Sequence, residues 1–158
     1  MARKFSAGKG VDDALILGKN LNAEGFHCQF NYAGDHGDSP EIRDKSAEIY
    51  GKLIEGIKNQ KVWAGISIKL SQMGLFSQNL HRGKTHSIFF SLVEKAYESG
   101  VPFWIDEEEN IYKDKTNKIL SEISDKHPVG NVLQAYLNKI LDKVKKRLQF
   151  KNKPIFRI

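Results

Sequence analysis

A single cysteine, Cys28, stands in 158 residues. That excludes an internal disulfide, and it suits a reducing compartment such as the cytoplasm. No run of about 18 apolar residues occurs, so no membrane-spanning helix is expected. The first residues, Met1 to Gly8, lack the apolar core of a secretory leader. No Gly-x-Gly-x-x-Gly turn follows the first expected strand, which weakens a dinucleotide-binding, doubly wound sheet. The histidines His27, His36, His81, His86 and His127 show neither ligand spacing nor a nucleophile beside them, and no metal site is expected. Cys28 sits in an expected strand and reads as a core residue rather than a nucleophile.

Acidic residues are in the minority, 19 against 25 Lys and Arg, for a net charge of +6. Much of the excess sits in Lys143, Lys145, Lys146, Arg147, Lys151 and Lys153. Such a patch suits nucleic acid or anionic lipid. No aromatic residues interleave the lysines, however, as a single-strand binder would require. The simpler reading is the solvated face of a helix whose inner face is Ile140, Leu141, Val144 and Leu148. Nucleic acid is therefore not an expected partner.

What the chain does contain is a period. Prolines at 102, 128 and 154, a constant step of 26 residues, each open a short hydrophobic run. Proline is tolerated at a strand's first residue, and a constant step of this size indicates one repeated strand-plus-helix unit. Around it, helices are expected over 11–23, 41–59, 85–99, 114–124 and 138–150. Strands are expected over 26–32, 62–70, 101–106, 129–136 and 155–158. Strict alternation implies about five parallel strands with intervening helices.

Both an open doubly wound sheet and a (β/α)8 barrel fit this order. Polar residues within the strands favour the barrel: Lys69, Asp106, Gln134 and Arg157, one from each of four strands. The first three stand toward the C-terminal ends, and side chains converging there from several strands mark a barrel mouth. A whole barrel has eight strands in roughly 250 residues. The expectation is thus a single domain, 1–158, forming an incomplete (β/α)8 barrel, the front part of a larger protein.

At these residues the chain resembles the proline dehydrogenase (proline oxidase) family. The matching pieces, in the family's order, are Ile66-Ser67-Ile68-Lys69-Leu70-Ser71, Trp104-Ile105-Asp106-Glu107-Glu108, Val132-Leu133-Gln134-Ala135-Tyr136-Leu137 and Phe156-Arg157-Ile158. The resemblance implies a distorted barrel that holds FAD and oxidises L-proline to Δ1-pyrroline-5-carboxylate, passing electrons to a quinone or another acceptor. It implies that Lys69 pairs with the substrate carboxylate and that Asp106 ion-pairs with an active-site arginine. It further implies that Gln134 hydrogen-bonds the isoalloxazine and that Arg157 stands beside flavin N5.

Two departures accompany it. Where the family often shows Asp-x-Leu-Gly-Glu, this chain has Asn31-Tyr32-Ala33-Gly34-Asp35, so Asn31 and Asp35 are left outside the expected site. The family's later Tyr-x-x-Arg-Arg helix is absent, and Lys145-Lys146-Arg147 on an earlier helix does not replace it. The expected whole is a cytoplasmic flavoenzyme, with peripheral contact to a membrane surface allowed. The 158-residue chain alone is expected to be inactive and prone to self-association. The readings from other classes are a non-catalytic fragment or interaction module and, further off, a basic nucleic-acid-binding domain.

Overall fold

Among the described residues helices and strands alternate: α1 (Val11–Ala23), β1 (Cys28–Asn31), α2 (Pro40–Gln60), β2 (Ala64–Ile68), α3 (Arg82–Glu98), β3 (Phe103–Ile105), α4 (Lys113–Ser124) after a 3-10 turn (Asn110–Tyr112), β4 (Gly130–Val132), α5 (Ile140–Arg147) and β5 (Ile155–Arg157). The computed structural model describes residues 6–134, 140–149, 152 and 155–157. Pro154 of the 26-residue period lies outside them, as do Ala135, Tyr136, Leu137, Lys151, Lys153 and Ile158.

Local chemistry sets the helix ends. Ser39 Oγ accepts the Ile42 N–H at 3.4 Å ahead of Pro40, whose missing N–H costs nothing in a first turn. His81 Nδ1 accepts the Lys84 N–H at 3.2 Å, so α3 begins at Arg82, three residues before the expected start. Gly100, at φ +66°, turns the chain from α3 into β3 through a conformation that side chains disfavour.

All five strands are parallel, and their spatial order β1-β2-β3-β4-β5 is their order in the sequence. A doubly wound sheet reverses direction at a switch point. Here every crossover steps to the next strand in the same direction, which places all the helices on one face, as in a barrel wall. Among the described residues the wall is open, with β1 and β5 each paired on one side only.

The core fills the space between the wall and the helices. Ile66, Ile68 and Ile105 are fully buried there against Ile54 of α2, Phe89 of α3 and Ile123 of α4. Each such side chain contributes about 1.5–3 kcal/mol by leaving water. Cys28 belongs to this layer: its thiol donates to the Gly18 carbonyl at 3.8 Å, and burial pushes its pKa up.

Two expectations need correction. The strands are shorter than their apolar runs, so Lys69, Asp106 and Gln134 stand one or two residues beyond β2, β3 and β4 rather than inside them. In α5, Ile140 and Val144 turn partly inward with Arg147, which is 2% exposed, while Leu141 and Leu148 face solvent at 69% and 45%. Positions 140, 144 and 147 make the inner stripe at steps of four and three. The Arg147 Nη2 donates to Asn117 Oδ1 at 3.2 Å. Burial lowers the pKa of its guanidinium, which Glu107 opposes, and Arg147 is no part of an exposed basic patch.

Candidate active site

Strand alternation sorts side chains between the two faces of the wall. Since Ile66, Ile68 and Ile105 face the helices, the residues between them face the other way. The pairing Asn31↔Ser67↔Trp104↔Gly130↔Ile155 forms one continuous row across all five strands on that inner face. Two residues further on stand Lys69, Asp106, Val132 and Arg157, and Gln134 follows Val132 by two more.

Asp106 joins three strands. Its Oδ1 accepts the Ser67 hydroxyl of β2 and the Nη2 of Arg157 in β5, the latter at 3.1 Å. Its Oδ2 accepts the amide of Asn31 in β1 at 2.8 Å, and its own N–H donates to Ile68 C=O at 3.0 Å. The carboxylate is 14% exposed and the guanidinium 45%. Asn31, placed outside the site by its departure from the family motif, is thus in contact with it. Nothing in the strand-one sequence names Asp106 as its partner; the register Asn31↔Ser67 does.

Lys69 and Gln134 meet differently. They line a common cleft of about 390 Å³ with His36, Glu107, Glu108 and Tyr112. The acidic loop after β3 ties its neighbours together on both sides. Glu107 accepts the Gln134 N–H at 2.7 Å, and Glu108 accepts both the N–H of Ser71, at 3.0 Å, and its hydroxyl. The two adjacent carboxylates therefore reach in opposite directions, toward β4 and toward the loop after β2.

A buried polar layer holds the loops of β1 and β2 beneath this cleft. The Tyr50 hydroxyl donates to Ser67 C=O at 3.0 Å and accepts the Tyr32 N–H at 3.3 Å. Gln72 donates to the carbonyls of Tyr32 and Gly34 at 2.8 and 3.0 Å. Burial, with the Asp106 charge adding to it, pushes the Tyr50 phenol far above its ordinary range. Gly37 is needed for the close approach of these loops, since a Cβ there would stand 2.4 Å from the Gln72 carbonyl oxygen.

At the C-terminal ends of the parallel strands the mouth thus sets Arg157 against Asp106 and, in the cleft, Lys69 near Glu107, Glu108 and Glu109. A lysine and an arginine held in this way are groups that can pair with an anion.

A family model described as proline dehydrogenase matches residues 15–158. Proline dehydrogenase 1 of Bacillus subtilis subsp. natto is 30% identical over 152 residues, covering 95% of this chain and 49% of that protein. Proline dehydrogenase of Deinococcus radiodurans is 28% identical over 145 residues, covering 89% and 46%. The chain therefore spans about half the length of the curated relatives it matches. Among solved structures, proline utilization A from Bdellovibrio bacteriovorus, inactivated by N-propargylglycine, superposes with a TM-score of 0.77 at 17% identity. That match covers 95% of this chain and 19% of the other, and at this identity it speaks for the fold alone.

Proposed function

The chain belongs to the proline dehydrogenase family, and from that premise we propose that it supplies the β1–β5 wall and four working side chains of an enzyme that oxidises L-proline to Δ1-pyrroline-5-carboxylate with FAD. The observation that carries the reading is the inner-face set itself. Asp106 is paired with Arg157, and Lys69 and Gln134 line one cleft.

The donor set fits a flavin. Gln134 brings an amide to the cleft, and Arg157 stays 45% exposed while paired with Asp106. These two residues would hold the ring, and FAD when bound supplies the acceptor for the hydride that leaves the proline ring. The other roles fall to this chain's own groups. The Lys69 ammonium holds the substrate carboxylate and so fixes the orientation of the proline ring. Asp106 fixes the Arg157 guanidinium, a positive charge set where electron density would increase. The electrons pass on to a quinone or another acceptor. Among the described residues no helix is long and apolar enough to cross a membrane, and a membrane-bound acceptor would be met at the surface.

The test is proline-dependent dye reduction by the flavin-loaded protein encoded by the whole reading frame. Lys69→Ala should cut turnover or proline binding strongly and leave flavin content unchanged. A flavin-loaded protein that does not reduce the dye with proline overturns the reading, and unchanged kinetics in Lys69→Ala overturn the role of that lysine.

A further inference from the structure

A second cavity opens where the loop after β2, the first turns of α3 and one face of α4 meet, and it holds about 200 Å³. It shares no lining residue with the cleft of Lys69 and Gln134. Three cationic side chains converge on it: Arg82 from α3, and Lys115 and Lys118 from α4. None of the three forms an ion pair among the described residues. Lys115, Lys118 and Glu122 stand at steps of three and four, on the face of α4 that meets α3. Like charges brought together across a groove repel one another. An anion between them replaces each repulsion with a charge-assisted hydrogen bond.

The polar groups behind the cations have donors to spare. Thr85 lines the cavity at 2% exposure, and its Oγ1 accepts the Nη1 of Arg43 at 3.0 Å. That leaves the Thr85 O–H to donate, and no protein acceptor takes it among the described residues. Arg43, equally buried, is held on its other edge by Asp44. Ser77 Oγ accepts the Asn79 N–H at 3.2 Å, so its O–H is free in the same way. The one carboxylate of the lining, Glu122, is turned to His86 Nε2 at 2.9 Å, and that imidazole stacks on Phe90. Leu75, Leu80 and Ile119 complete the wall with apolar surface.

We propose that this cavity is a binding site for a phosphate group, free or carried on a small organic molecule. Donors stand on three sides of it: Ser77 in the loop, Arg82 and Thr85 on α3, Lys115 and Lys118 on α4. A tetrahedral dianion has acceptors facing every side, whereas a planar carboxylate presents its two oxygens in one direction. Three cations against one carboxylate also match the charge of a dianion. The apolar wall takes the organic part of a phosphate monoester. The proposal stands on this cavity alone and does not depend on the reaction at the mouth.

Isothermal titration calorimetry of the complete protein, at low ionic strength in a buffer without phosphate, tests it with two probes, inorganic phosphate and phenyl phosphate. The parent protein should bind, and binding should weaken as salt is added. Lys115→Gln/Lys118→Gln changes two exposed side chains and leaves the core intact. It should weaken binding roughly tenfold or more, the size of one lost charge-assisted hydrogen bond. Thr85→Ser keeps the hydroxyl and should bind as the parent does. Thr85→Val loses it and should bind less tightly, with thermal unfolding to check that it folds.

Tighter binding of phenyl phosphate than of inorganic phosphate identifies a monoester as the ligand, and equal or weaker binding identifies free phosphate. Absence of heat with both probes overturns the proposal. So does binding that Lys115→Gln/Lys118→Gln leaves unchanged, or binding that Lys69→Ala abolishes, which puts the anion at the mouth instead.

Discussion

Asp106 is where side chains from three other strands come together, and replacing it tests what they depend on. Asp106→Ala leaves the Ser67 hydroxyl and the Asn31 amide without their acceptor and Arg157 without its charge partner. Because Arg157 is 45% exposed, water compensates much of its loss, so the cost comes mainly from the other two. Urea denaturation should show a loss of about 1–3 kcal/mol for Asp106→Ala, and less for Asp106→Asn, which keeps one carbonyl oxygen. Tyr50 gives a pH prediction. Its phenol is 0% exposed, and burial raises its pKa in the folded state. Above the ordinary tyrosine value of about 10 the unfolded chain releases this proton while the folded chain keeps it. The unfolded state then binds fewer protons, so stability falls as pH rises from there. Parent protein should lose stability between roughly pH 10 and 11 more steeply than Tyr50→Phe. Equal slopes in urea titrations across that range would show that Tyr50 does not contribute.

At the scale of elements, what could be read from the chain was whatever local chemistry decides. Helix α1 lies where the apolar stripe Val11, Ala14, Leu15 placed it, and α2 begins one residue from expectation because Ser39 and Pro40 are local start signals. The start of α3 is not legible in the sequence because its cap is an imidazole nitrogen of His81, a residue that sequence rules do not count among caps. Lys69, Asp106 and Gln134 stand out as residue types, but their places beyond the strand ends do not, because apolar runs extend past the last ladder hydrogen bond and alternation alone does not mark where pairing stops. Charge predicts exposure for Arg147, whereas Asn117 gives it a polar partner inside. Asn31 could not be assigned at all without the register between β1 and β2. The same register makes Gly130 a tight point: a Cβ there would stand 2.3 Å from the Trp104 ring that lies over it. Gly130→Ala should therefore displace the indole, shift tryptophan fluorescence and near-UV circular dichroism, and cost about 1–3 kcal/mol. Spectra identical to the parent would mean that Trp104 does not rest on β4.

At the scale of the whole molecule, sequential strand order and an open sheet act together. Sequential parallel order winds the wall in one sense, so its inner face is that of a barrel interior, and the chain matches relatives along about half of their length. Among the described residues that inner face keeps Ile155 67% exposed, in the same row as Trp104, and β1 and β5 each carry an unpaired edge. Unpaired parallel edges and exposed apolar rows are what other chains add to. An open cleft also leaves Lys69 and Gln134 in contact with bulk water, where an ion pair between Lys69 and a carboxylate is worth about a quarter of its value in a closed site. The 158-residue chain by itself should therefore associate with its own copies as concentration rises, retain little flavin, and give no proline-dependent dye reduction. Sedimentation velocity over a concentration series, flavin absorbance after gel filtration and the dye assay measure the three. Ile155→Lys should move the sedimentation profile toward monomer by placing a charge on the exposed inner row. A yellow, monomeric 158-residue sample that oxidises proline would mean that five strands already enclose the site, and that the open edges of β1 and β5 have no bearing on its chemistry.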